Sequence, residues 1–161
     1  MKKILAILLA GIFVASIPAA SSLMLPKIAM EKLSGKPVST ADVPEWADGN
    51  FSGVYALKNE TGEFVILGNI FGHYSKGIGP WGNYAGEWET LDGNQSGGFS
   101  GMFFRHISFG HFNTTGSEDE YPLLAIFRVN ESEMSINSLF IIPGDNGVDV
   151  RYAMLSYTVF E

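Results

Sequence analysis

From Trp46 onward, large apolar residues recur at every second position, in short runs cut by Gly, Asn and Asp. Alternation at period two is the signature of strands with one buried face. In FSGVYALK, Phe51, Gly53, Tyr55 and Leu57 fall on one face. In GGFSGMFFRHI, Gly97, Phe99, Gly101, Phe103, Arg105 and Ile107 do the same, if the stretch is one strand. VDVRYAMLSYTVF is apolar on both faces and predicts a strand covered on both sides. No window of this region carries a convincing apolar period of 3.6. Runs bounded by turn residues predict about eight strands.

Four pentapeptides share one pattern: Gly49-Asn50-Phe51-Ser52-Gly53, Gly68-Asn69-Ile70-Phe71-Gly72, Gly82-Asn83-Tyr84-Ala85-Gly86 and Gly97-Gly98-Phe99-Ser100-Gly101. A degraded copy begins at Gly110. The starts are 19, 14 and 15 residues apart, about one strand plus one turn. Within each unit the i, i+2 and i+4 positions share a face, so a large side chain sits between two glycines. Rings of one strand can then lie over bare glycine backbone of the next, and glycine permits the bending that closes a sheet. The pattern predicts an all-β, antiparallel up-and-down meander, barrel-like, with a two-sheet sandwich as the alternative. Asn50, Asn69 and Asn83 are predicted to face away from the rings.

The runs WADGNFSGVYAL and GNYAGEWETLDGNQSGGFSGMF resemble uncharacterised secreted proteins of archaea that carry repeated G-x-[FY]-x-G strands after a signal peptide. That resemblance spans roughly residues 44–161, implies an extracytoplasmic β domain and assigns no catalytic residue. Tyr84-Ala85-Gly86-Glu87-Trp88 also resembles the start of a MORN repeat, but the following glycines come too late and the unit stands alone.

Ahead of the β region, residues 1–22 read as a signal peptide. Lys2 and Lys3 form its charged start, Ile4 to Ile17 an apolar core and Ala19 to Ser22 a small-residue cleavage region. An uncleaved membrane anchor is the alternative, and would be the chain's only membrane contact. Residues 23–45 read as a short helix around Pro26–Leu33 followed by a linker, and residues 46–161 as the β domain.

The 161-residue chain has no cysteine, which excludes disulfides, thiolate metal sites and a lipid-modified cysteine. Without Lys2 and Lys3 it keeps eight basic and seventeen acidic residues. From Val38 on, only Lys58, Lys76, Arg105, Arg128 and Arg151 are basic. Such a surface repels phosphate backbones, so no nucleic-acid partner is expected. Five N-x-S/T sequons, at Asn50, Asn59, Asn94, Asn113 and Asn130, predict glycosylation of a secreted chain.

Chemistry is sparse. His106 and His111, five apart, would lie on opposite faces of an unbroken strand; the acids Glu118, Asp119 and Glu120 nearby read as a solvated turn. PGDNGVD (143–149) is oxygen-rich but lacks EF-hand spacing and reads as a hairpin turn with Asn146-Gly147 supplying positive φ. Glu87 and Glu89 share a strand face, a spacing glycoside hydrolysis can use, with nothing else to mark a cleft. No metal or cofactor is predicted. Trp81, Tyr84 and Trp88 are the candidate ligand-binding residues, for a sugar, an apolar small molecule or a partner. The sequence favours a non-catalytic secreted or envelope-associated domain with a structural or interaction role. A barrel binding a small hydrophobic ligand is the first alternative, and a carboxylate-dependent hydrolase the second.

Overall fold

The computed structural model describes residues 43–144 and 147–160. The signal segment at 1–22 and residues 23–42 of the expected helix and linker lie outside the described residues. Eight strands follow: β1 (Gly49–Lys58), β2 (Phe64–Lys76), β3 (Trp81–Thr90), β4 (Ser96–Phe104), β5 (Ile107–Asn113), β6 (Glu120–Asn130), β7 (Ser135–Gly144) and β8 (Gly147–Val159). Each pairs antiparallel with the next. β8 returns to pair with β1, from Gly49↔Val159 to Ala56↔Tyr152, so the sheet closes into an up-and-down barrel rather than a sandwich.

The pentapeptides fall one to a strand on β1 to β4, and the register explains them. Phe51 lies directly opposite Gly72, Tyr55 opposite Gly68 and Tyr74 opposite Gly49. Between β3 and β4, Tyr84 faces Gly101, Phe99 faces Gly86, Phe103 faces Gly82 and Trp88 faces Gly97. A ring opposite a glycine lies down against the neighbouring strand instead of projecting across the interior. The approach is close: a Cβ added at Gly72 would stand 2.8 Å from Phe51 Cζ, and one at Gly101 2.6 Å from Tyr84 Oη.

The inward cluster contains Phe51, Tyr74, Phe99, Ala153 and Leu155, flanked by Tyr84, Trp88 and Phe140 among others. Asn50, Asn69 and Asn83 take the opposite positions and face outward, as the alternation requires; Asn50 accepts a hydrogen bond from Thr158 and Asn69 donates to Glu89. On β8, Ala153, Met154 and Leu155 are buried in succession, so the strand is covered on both faces at Met154 only; its other outward positions Val150, Ser156 and Thr158 are exposed, short of the two-sided cover its sequence predicts. Val54, directly opposite Met154, and Ile141 are further buried outward positions.

One expectation fails. GGFSGMFFRHI is not a single strand: Phe104 pairs with Ile107, leaving Arg105-His106 as a two-residue turn. Ile107 therefore faces outward instead of joining Phe99 and Phe103. No Gly, Asn or Pro marks this turn, because Arg105 itself takes the left-handed conformation, with φ +55°.

Candidate ligand chamber

The barrel interior is open. A cavity of about 1270 Å³ runs along the axis. Its wall is formed by aromatic and aliphatic side chains of all eight strands, among them Phe51, Trp88, Phe112, Phe127, Phe140 and Leu155. Eight-stranded barrels are narrow enough for side chains to fill, or to hold one small ligand. Here the rings on β1 to β4 lie over glycines and leave the centre free. The small inward residues Ser108, Ala125, Ser138 and Ala153 widen the opposite half.

Magnitude decides what such a space contains. At about 24 cal/mol per Å³, a dry void of this size would cost on the order of 30 kcal/mol. A domain's whole stability is roughly 5–15 kcal/mol. The chamber is therefore filled, by solvent or by a ligand.

Its two mouths differ. One is rimmed by the β2–β3, β4–β5 and β6–β7 turns and lined by Lys76, Arg105, His106, Val129 and Glu131. The other is rimmed by the β3–β4 turn and lined by Leu67, Leu91, Asp92, Asn94 and Gln95. Leu67 reaches it because a bulge at Tyr55/Ala56 leaves that residue unpaired in the β1–β2 register. Asp92 anchors the turn, accepting hydrogen bonds from Thr90 Oγ1 at 2.6 Å and Asn94 Nδ2 at 2.7 Å. The Thr90 hydroxyl first, then Asn94, hold its carboxyl below the usual range. Inside this mouth Arg151 makes a 2.7 Å ion pair with Asp149.

Polar groups inside are few. Burial raises the Tyr84 hydroxyl above the ordinary tyrosine pKa, and the neighbouring Ser108 hydroxyl only partly offsets this; Tyr84 Oη has no well-formed hydrogen bond among the described residues. Tyr55 and Tyr74 are also raised, chiefly by burial. A tyrosine with a raised folded pKa stays neutral where the unfolded chain ionises, so stability is full below pH 10 and falls as pH rises past it. A spectrophotometric alkaline titration of the six tyrosines should show a late-ionising group that shifts to the ordinary range in denaturant. Uniform titration near pH 10 in both states would contradict the buried placement.

The expected ligand trio is divided. Tyr84 and Trp88 line the chamber, Trp88 Nε1 donating to the Asn113 carbonyl at 3.1 Å. Trp81 lies on the outer face, 50% exposed, with its ring centroid 4.5 Å from that of Phe104. No family model, curated protein or solved structure matches this chain.

The remaining candidates sit outside the chamber or on its rim. Glu87 and Glu89 are on the outward positions of β3, Glu89 bonded to Asn69. His106 is in the β4–β5 turn, whereas His111 faces outward beside Ser100, 3.9 Å from Glu120. Among the described residues no three His, Asp or Glu side chains are grouped to hold a metal ion. In 143–149, Asp145 and Asn146 lie outside the described residues; Gly147 has φ +137° and Asp149 holds Arg151. Of the sequons, Asn94 is exposed in the β3–β4 turn, and Asn59 is in the β1–β2 turn. Asn113 and Asn130 end β5 and β6; Asn50 is on the outer face of β1. Lys76, Arg105 and Arg151 were not signalled as site residues by any motif. Their inward parity and the scarcity of other cations are the only traces they leave in the sequence.

Proposed function

We propose that this barrel is a non-catalytic, extracytoplasmic binder that carries an apolar small molecule in its interior. The observation that carries this reading is the open aromatic chamber of about 1270 Å³. Ligand pockets are commonly about 300–1,000 Å³. Water against such a wall is readily displaced: a ligand burying about 300 Å² of apolar surface gains roughly 7 kcal/mol before the cost of association. The polarity of the wall agrees. A transmembrane barrel is apolar outside and polar within, whereas here the lumen is apolar and the outer face is mixed, with Asn69, Asn83, Glu87, Glu89 and His111 alongside the exposed Trp81, Met102, Ile107 and Phe109. The secretory start and the sequons support an extracytoplasmic, glycosylated setting, with Asn94 the most accessible acceptor.

The test is native mass spectrometry of the protein followed by denaturation, with titration of an apolar fluorescent probe into the delipidated protein. A mass lost on denaturation, or saturable probe uptake, is expected. Trp88 should report it: Trp88→Phe removes most of the ligand-dependent change in tryptophan emission, while Trp81→Phe keeps it. An empty protein that takes up no probe would overturn the proposal.

A further inference from the structure

The chain is strongly acidic, yet the cations among its described residues gather at the chamber. Of the five Lys and Arg among the described residues, Lys76, Arg105 and Arg151 line it; of thirteen Asp and Glu, only Asp92 and Glu131 do. Arg151 is already paired with Asp149. Lys76 and Arg105, at the opposite mouth, form no ion pair with any described residue. The carboxylates near them are otherwise placed. Asp48 accepts the backbone N–H of Lys76, and Glu131 stands on the same rim beyond ion-pair distance of either cation. Arg105 also holds a strained backbone conformation, φ +55°: in a two-residue hairpin turn, positive φ at the first position is where glycine is preferred. Its guanidinium rests over the Phe104 ring, 5.5 Å from the centroid, a weak interaction at an exposed site that a stronger anionic partner can replace.

We infer that the ligand is an amphiphilic anion, its apolar chain in the aromatic lumen and its single acid group at the mouth formed by Lys76 and Arg105, with His106 beside them. This rests on the chamber being a binding site and adds the polarity and direction of what it holds. Chain-first entry through that mouth leaves the acid group at the water boundary, where both cations reach it without burying an unpaired charge. The other mouth, lined by Asp92 and by an Arg151 already neutralised, offers an anion no comparable site.

The experiment compares dodecanoic acid with its methyl ester, each competing against an apolar fluorescent probe at pH 8 and low salt. Wild type is expected to bind the acid at least tenfold more tightly than the ester. Lys76→Gln with Arg105→Gly should abolish that preference, leave the ester's affinity within twofold, and keep or raise the melting temperature, since glycine relaxes the turn. Acid and ester binding equally well to wild type would overturn the anionic head group and leave the chamber proposal standing. A preference unchanged in the double variant would overturn its placement at this mouth. Failure of both ligands to displace a bound probe would overturn the amphiphilic anion and leave the chamber proposal standing, whereas failure of the probe itself to bind would sink the two readings together.

Discussion

Gly97→Ala is expected to destabilise the barrel by about 3 kcal/mol, whereas Gly98→Ala, one residue on, should change stability by no more than about 0.5 kcal/mol. Composition cannot distinguish these adjacent glycines; the fold does. A Cβ at Gly97 would stand 2.8 Å from Trp88 Nε1 and overlap the Asn113 carbonyl, the two ends of the hydrogen bond that holds the indole across the wall. Either the ring lifts or the strands part. At Gly98 the added carbon would meet nothing nearer than Asn113 Oδ1 at 3.5 Å, an ordinary contact. Neither glycine needs positive φ. Urea unfolding of the two variants gives the comparison directly. Equal losses would mean that these glycines serve chain flexibility rather than ring seating.

Ser138→Trp is the second large effect expected, this time on binding. Ser138 points inward from β7, between Phe127 on β6 and Ala153 on β8, and lines the chamber. Its hydroxyl makes only a long bond to the Ile126 carbonyl, 3.4 Å, so little polar structure is lost. An indole projecting there occupies space a ligand needs, and uptake of an apolar probe should weaken at least tenfold, about 1.4 kcal/mol. The melting temperature should remain within a few degrees, because the added ring enters open volume. Unchanged affinity in a folded variant would mean that the probe binds outside the lumen.

Much of this architecture was legible in the sequence. Period-two alternation marks the strands, and glycine–aromatic–glycine spacing anticipates rings lying over glycines with the asparagines outside. The chamber was not legible, because its volume depends on ring tilt: upright, the same rings would fill the lumen. Trp81 could have been separated from Tyr84 and Trp88 by parity alone, since 81 is odd and the other two even on one continuous strand. The β4–β5 turn gave no signal, because an arginine stands where turn chemistry favours glycine. What gives that exception meaning is the place of Arg105 at the chamber mouth, with no carboxylate partner among the described residues.

Rings seated on glycines also govern how the wall assembles. Glycine-rich strands are ordinarily prone to slip, since little distinguishes one pairing from the next. Here a two-residue slip of β1 along β2 keeps every side chain on its proper face but sets Phe51 against Tyr74 or Ile70 instead of Gly72. The same slip between β3 and β4 brings Phe99 against Tyr84 or Trp88. In these two pairs each ring is thus a tooth and each glycine the notch cut for it, whereas between β2 and β3 Gly72 faces Gly86 and Tyr74 faces Tyr84. At the β1–β2 and β3–β4 seams the repeated pentapeptide works as an alignment code that rejects even the offsets a simple hydrophobic pattern would accept.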